Sequence, residues 1–224
     1  LDSVKACARR AASLGNIHAV IHAAGVTPAN STPEDILKTN GLGPRNIVKA
    51  FYPQMSEGGV MLLFGSNAAY NFDTIPQMAP LVPKLNELYL HWDDPDFLSQ
   101  MQSFLSNDMN LPVGRAQGGM AYCLTKNFVR YFVKMNTRRF AAKGCRILSI
   151  SPGSYLTPMH QAYIDNEAEG AKADLESIPL GRLGHPYEMG ELVKFLCSPG
   201  AGYLTGVDIL ADGGKLSSSF PSIP

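Results

Sequence analysis

Four short apolar runs recur along the chain, and stretches with helical spacing separate them. "HAVIHAAG" (18–25), "GVMLLFGS" (59–66), "CRILSISPG" (145–153) and "GVDILADGG" (206–214) are apolar nearly throughout and end in Gly or a small polar residue. Such runs read as strands buried on both faces of a parallel sheet. In residues 2–15, Val4, Cys7, Ala8, Ala11 and Ala12 follow helical spacing, with Gly15 placed to stop the helix. Residues 32–55 predict a second helix, with Thr32 at the cap, Pro33 at the first helical position and Glu34 and Asp35 in the first turn. A long amphipathic helix is predicted over 121–144, closed by Gly144, and another over 185–202 carrying Leu192, Val193, Phe195 and Leu196. Strands alternating with helices predict an α/β fold, a doubly wound parallel sheet covered on both faces.

Residues 71–117 break this rhythm. They are rich in Pro, hold the single Trp, and contain two helical stretches, "LVPKLNELYLHW" and "PDFLSQMQSFL". They read as an insertion in one domain spanning 1–224. Residues 154–184 are polar and read as irregular, and the tail "KLSSSFPSIP" reads as loop.

Charge adds little to this picture. Lys plus Arg and Asp plus Glu balance at 19 each, which argues against a nucleic-acid footprint or a polybasic membrane patch. No apolar run approaches the ~18 residues of a membrane span. Cys7, Cys123, Cys145 and Cys197 are scattered without a C-x-x-C pattern, so reduced thiols and a cytoplasmic setting are expected. His18 and His22 lie four apart in a strand without a third ligand, and no metal site is expected.

In a parallel α/β sheet, ligands sit beyond the carboxyl ends of the strands. Ala24 and Gly25 follow the first run, Ser66 ends the second, and Pro152, Gly153 and Thr157 end or follow the third. Tyr122 and Lys126 lie on the helix feeding the third strand; of nine tyrosines, only Tyr122 has Lys at i+4. Asn40 sits beside Gly41 inside the helix after the first strand, an unfavourable place for both. "GLGPRN" (41–46) imitates part of a dinucleotide fingerprint, but it lacks the third Gly and follows no strand.

Together these residues resemble the short-chain dehydrogenase/reductase family. The Y-x-x-x-K pair is Tyr122 and Lys126, the serine is Ser66 and the helix asparagine is Asn40. "HAAG" stands for N-N-A-G, "PGSYLT" for P-G-x-x-x-T, and "TG…DGG" closes the match. The stretch "GGMAYCLTKNFVRYFV" and the helical insertion are similar to bacterial 3α-hydroxysteroid dehydrogenase/carbonyl reductases. The resemblance implies a Rossmann-like fold and NAD or NADP as cofactor. It implies hydride transfer between a secondary alcohol and a ketone, on a steroid-like or other hydrophobic substrate, by a homo-oligomer (dimer or tetramer). No nucleic-acid or membrane partner is expected.

The chemistry of the pair gives a reason for its spacing. A phenol titrates near 10, and an ammonium one helical turn away favours phenolate. Lys126 is therefore expected to lower the Tyr122 pKa, making Tyr122 the general acid–base. By resemblance, Ser66 would hold the substrate oxygen, Lys126 would also touch the cofactor ribose, and Asn40 would order a water leading to Lys126. Thr157 and backbone near Tyr155 would hold the carboxamide, with Ala24, Gly25, Pro152 and Gly153 beside the cofactor.

Two departures stand out. "HAAG" lacks both asparagines, and no strand with a Gly-rich phosphate-binding turn precedes residue 18. Since the chain also begins at Leu1, it is expected to be a fragment lacking roughly sixty N-terminal residues, about one βαβ unit plus a strand and helix. The competing reading is a truncated, catalytically silent relative acting as a binding or interaction module. An epimerase or dehydratase on the same fold is a third reading, disfavoured by the closing D-G-G.

Overall fold

The computed structural model describes residues 1–166 and 168–219. Helix α1 (Asp2–Ala12) leads into strand β1 (Ile17–His22). Helix α2 (Pro33–Ile36) passes through a π-helical turn, Leu37–Gly41, into α3 (Leu42–Phe51). Thr32 caps this run as expected, its hydroxyl accepting from Asp35 N at 3.1 Å. Strand β2 (Met55–Phe64) ends in a 3₁₀ turn, Asn67–Tyr70, followed by α4 (Asn71–Thr74), α5 (Val82–Leu90) and α6 (Phe97–Ser103). Helix α7 (Arg115–Ala141) precedes β3 (Arg146–Pro152). Helices α8 (Pro158–Asn166), α9 (Ala168–Glu176) and α10 (Pro186–Cys197) lead to β4 (Asp208–Ala211).

The strands pair in parallel in the order β1-β2-β3-β4. Alternate residues of the central strands enter separate cores. Met61, Leu63 and Ile147 face Leu124, Phe128 and Phe132 of α7, while Val60, Leu62, Leu148 and Ile150 face Leu196 of α10. This two-sided covering is the doubly wound, Rossmann-like architecture the sequence predicts.

Some elements depart from expectation. The edge position of β1 is not one of them: with no strand and Gly-rich turn read before residue 18, an unpaired edge is expected, and among the described residues β1 pairs with β2 alone and leaves Ile21 48% exposed. α7 begins six residues before position 121 because Gly118 and Gly119 continue the helix rather than breaking it. Gly118 packs beside Pro28 and the first residue of α2, where a Cβ would make ordinary contact at 3.7 Å from Pro28 and 4.0 Å from Pro33. Residues 158–166 and 168–176 form α8 and α9 rather than an irregular loop. With Ala171 as the buried position α9 offers, its sequence carries no clear apolar stripe. Part of the expected tail loop, Ser217–Ser219, is a 3₁₀ turn, and its last five residues, 220–224, lie outside the described residues.

Both helical stretches foreseen in 71–117 form. They press Leu85, Tyr89, Phe97, Met101, Phe104 and Leu105 into the core against α7. Burying such side chains is worth about 1.5–3 kcal/mol each, so this segment is fastened to the helix that carries Tyr122.

Candidate active site

α7 delivers Tyr122 and Lys126 to the carboxyl end of β2 from one face. The Lys126 ammonium is 7% exposed and donates to Phe64 O, two residues before Ser66, at 3.0 Å. Its Nζ lies 5.6 Å from the centroid of the Tyr122 ring. Ser66 caps the 3₁₀ turn after β2, its Oγ accepting from Ala68 N at 3.2 Å, and it is near enough to hydrogen-bond the Tyr122 phenol.

The electrostatics differ from the expected acidification of the phenol. Desolvation pushes Tyr122 above its ordinary pKa of 10, and the hydrogen bond from Ser66 offsets only part of that rise. Burial lowers the Lys126 pKa to about 8, so the side chain stays mostly protonated at neutral pH. Its hydrogen bond runs to the Phe64 carbonyl, so the ammonium does not dominate the phenol. At neutral pH the site presents a protonated tyrosine beside a serine hydroxyl.

Asn40 lies in the π turn with both ends of its amide engaged: Oδ1 accepts from Val26 N at 2.9 Å and Nδ2 donates to Val26 O at 2.8 Å. This side chain clamps the loop after β1. That loop meets the site at Gly25, where a Cβ would lie 3.2 Å from Asn40 Oδ1 and 3.5 Å from Lys126 Nζ. Ala24 and Gly25 are thus placed on the lysine side. Ala24 also lines an apolar groove of about 370 Å³ between α1, β1 and α3. His22, the first departure in "HAAG", is buried against Gly43, and burial with the charge of Lys126 lowers its pKa to about 4.

At the end of β3, Pro152 and Gly153 turn the chain beside Asp212: Gly153 N donates to Ala211 O at 2.9 Å. Tyr155 bridges to Gly184, and Thr157 Oγ1 accepts from His160 N at 3.2 Å at the start of α8. α9 is tied down here by Asp174, which accepts from Ser154 Oγ at 2.5 Å and pairs with Lys215. The structure therefore gathers Tyr122, Lys126, Ser66, Asn40 and Gly25 at the β1 and β2 ends. Pro152, Gly153, Tyr155 and Thr157 frame the β3 end. Among the described residues no group of three His, Cys, Asp or Glu could hold a metal ion.

Comparison with known proteins places this geometry. A family model described as enoyl-(acyl carrier protein) reductase matches residues 107–215. The short-chain dehydrogenase/reductase bsc3 of Alternaria brassicicola is 31% identical over 220 residues, 96% of this chain and 74% of that protein. The chain belongs to the short-chain dehydrogenase/reductase family. A 3-alpha-hydroxysteroid dehydrogenase/carbonyl reductase of Comamonas testosteroni is 25% identical over 195 residues, 85% of this chain and 69% of that protein. The crystal structure of the 3-alpha-hydroxysteroid dehydrogenase of Pseudomonas sp. B-0831 with NADH superposes with a TM-score of 0.75. It is 22% identical, with 98% of this chain and 81% of that chain covered, and shows the shared fold.

Within this short-chain dehydrogenase/reductase, polar residues not foreseen in the sequence surround the Ser66 turn. Asn127 Nδ2 and Arg130 Nη1 both donate to Ala69 O, at 2.6 and 3.2 Å. Tyr70 donates to Asp208 Oδ2 at 2.7 Å. The same carboxylate accepts from Ser149 Oγ at 2.5 Å and Ser151 Oγ at 3.0 Å. The Asp208 carboxylate and burial push the Tyr70 phenol far above its ordinary value, with desolvation the larger cause. The readable signal was weak: an Asn directly after the lysine, and an Asp opening an otherwise apolar strand.

Proposed function

We propose that this chain carries the catalytic centre of an NAD- or NADP-dependent oxidoreductase that interconverts a secondary alcohol and a ketone. It is read as one domain over 1–224 with 71–117 as an insertion. The observation that carries the proposal is the delivery of Tyr122 and Lys126 by one helix to the strand end where Ser66 faces the phenol.

The residues fit the cofactor chemistry. An ammonium has three N–H donors, and among the described residues the one hydrogen-bond acceptor of Lys126 is Phe64 O. Two donors remain for a ribose diol. Lys126, Gly25 and Ala24 would hold the ribose side, and Pro152, Gly153, Tyr155 and Thr157 the carboxamide side. When bound, the nicotinamide supplies or accepts the hydride.

The protein supplies the proton and the orientation. Tyr122, protonated at neutral pH, gives its proton to the ketone oxygen as negative charge develops there. The Ser66 hydroxyl donates to the same oxygen and fixes its place. Asn40 holds Val26 and keeps the β1 loop against Lys126. In the reverse direction Tyr122 must first lose its proton, which favours alcohol oxidation at high pH.

The hydroxysteroid dehydrogenase relatives support a hydrophobic ketone as substrate, and the four free thiols suit a cytoplasmic protein. A homo-oligomer, dimer or tetramer, is the assembly this family membership supports. Tyr122→Phe tests the reading: ketone-dependent oxidation of NADH or NADPH should vanish while fluorescence titration still shows nucleotide binding. Full turnover by that variant would overturn the assignment.

A further inference from the structure

Lys126 and Asn127 are consecutive on α7, yet their side chains reach opposite ends of the junction that holds Ser66. Lys126 grips Phe64 O, two residues before the serine, and Asn127 grips Ala69 O, three residues after it. Between these anchors Ser66 is extended (φ −170°, ψ 156°). Its Oγ accepts from Ala68 N, and its hydroxyl approaches Asn67 Oδ1 only at 3.4 Å. That leaves the hydroxyl proton available to the phenol.

Asn127 is 1% exposed and Tyr89 of α5 is fully buried, in an apolar setting that includes Phe97 and Phe128. A buried amide is costly unless each end is hydrogen-bonded. Here each end is: Oδ1 accepts from Tyr89 OH at 3.0 Å, and Nδ2 donates to Ala69 O. The single Tyr89 proton is shared between Asn127 Oδ1 and Leu124 O, at 3.0 and 3.1 Å, and the share on Oδ1 favours the orientation that turns Nδ2 toward Ala69. A phenol thirty-eight residues away, in the segment 71–117, thereby favours the rotamer that holds the serine turn.

We infer that Tyr89 and Asn127 are positioning residues that set Ser66 against Tyr122. This gives the segment 71–117 a part in the chemistry, and for turnover it rests on the oxidoreductase reading above. The network shows why it can be tested without unfolding. With Asn127→Ala, Ala69 O keeps Arg130 and Tyr89 OH keeps Leu124 O, its second partner at 3.1 Å. With Tyr89→Phe, the ring and its packing remain, and only the hydroxyl is lost.

The experiment uses the full-length protein with cyclohexanone as the ketone probe, and follows two readouts. In steady-state reduction, Asn127→Ala should lower kcat about 10-fold. Tyr89→Phe should act in the same direction by a smaller factor, and the nucleotide KM should be unchanged in both. In an ultraviolet tyrosinate titration referenced to Tyr122→Phe, the Tyr122 midpoint should rise in both variants, because Ser66 no longer stabilises the phenolate. A merely structural contact would alter melting temperature without moving that midpoint. Unchanged kcat and unchanged midpoint would overturn the inference while leaving the oxidoreductase reading intact. A shifted midpoint in a protein without turnover on a broad ketone panel would support the positioning role and sink the oxidoreductase reading.

Discussion

The Lys126 ammonium sits 5.6 Å from the centroid of the Tyr122 ring, yet the tyrosine's pKa is governed by desolvation and by Ser66. The phenol is raised above 10, so at neutral pH it is a proton donor. Ketone reduction should therefore be nearly flat through neutral pH. Alcohol oxidation, which needs the phenolate, should rise about tenfold per pH unit up to the phenol's pKa. Ser66→Ala should move that limb to still higher pH, since the hydrogen bond it removes favours the phenolate. Profiles of kcat/KM against pH in both directions measure this; an oxidation limb with a midpoint near neutrality would contradict it.

Lys126 is also a liability for the fold. Burial lowers its pKa from 10.5 to about 8, which corresponds to about 3 kcal/mol. The sign follows from the unfolded chain, which holds this proton up to 10.5 while the folded chain releases it near 8. The cost is in full force below 8 and is relieved as pH climbs from there to 10.5. Lys126→Met should therefore stabilise the protein near pH 7 by about 2 kcal/mol, after loss of the bond to Phe64 O, while abolishing turnover. Urea unfolding should show this gain disappearing toward pH 10.5. A variant no more stable than the parent at neutral pH would mean the ammonium is better solvated than its surroundings indicate.

How much of this was legible in the sequence depended on how locally each feature is encoded. Tyr122 and Lys126 share a helix, and their spacing alone puts them on one face. The central strands were legible because burial on both sheet faces leaves an apolar run. The edge position of β1 was legible too, since no strand with a Gly-rich turn is read before residue 18 to pair with it. The task of Asn40 was not evident, because its partner Val26 is brought close by the π turn. Tyr89 and Asn127 meet only through packing of α5 on α7, and neither residue type announces such a contact. α8 and α9 were obscured by polar composition.

His22 makes a prediction about acid. Burial, reinforced by the charge of Lys126, holds its folded pKa near 4 against an ordinary 6.5. The unfolded chain takes up the proton as pH drops through 6.5, whereas the folded chain resists until about 4. Stability present above 6.5 should thus be lost between those values, by about 3 kcal/mol in total. His22→Asn should flatten that part of the stability curve, and thermal melts from pH 7 down to pH 4 would record it. An unaltered slope would assign the acid sensitivity to other groups.

Gly153 should prove intolerant where Gly190 is not. A Cβ at Gly153 would stand 2.7 Å from both Cα and Cβ of Asp212. Asp212 cannot easily retreat, because its carboxylate accepts from Gly214 N at 3.0 Å and Leu216 N at 2.9 Å. Gly153 is equally fixed by its own bond to Ala211 O at 2.9 Å. Gly153→Ala should therefore cost about 1–3 kcal/mol, and it should weaken nucleotide binding because the turn framing the β3 end must shift. Gly190, inside α10, has open space around its missing Cβ. Gly190→Ala should stabilise by about 0.5–1 kcal/mol through helix propensity and leave binding untouched. Denaturant unfolding and nucleotide fluorescence on the two variants read both effects. Equal tolerance at the two sites would show that the β3–β4 junction yields more readily than its hydrogen bonds allow.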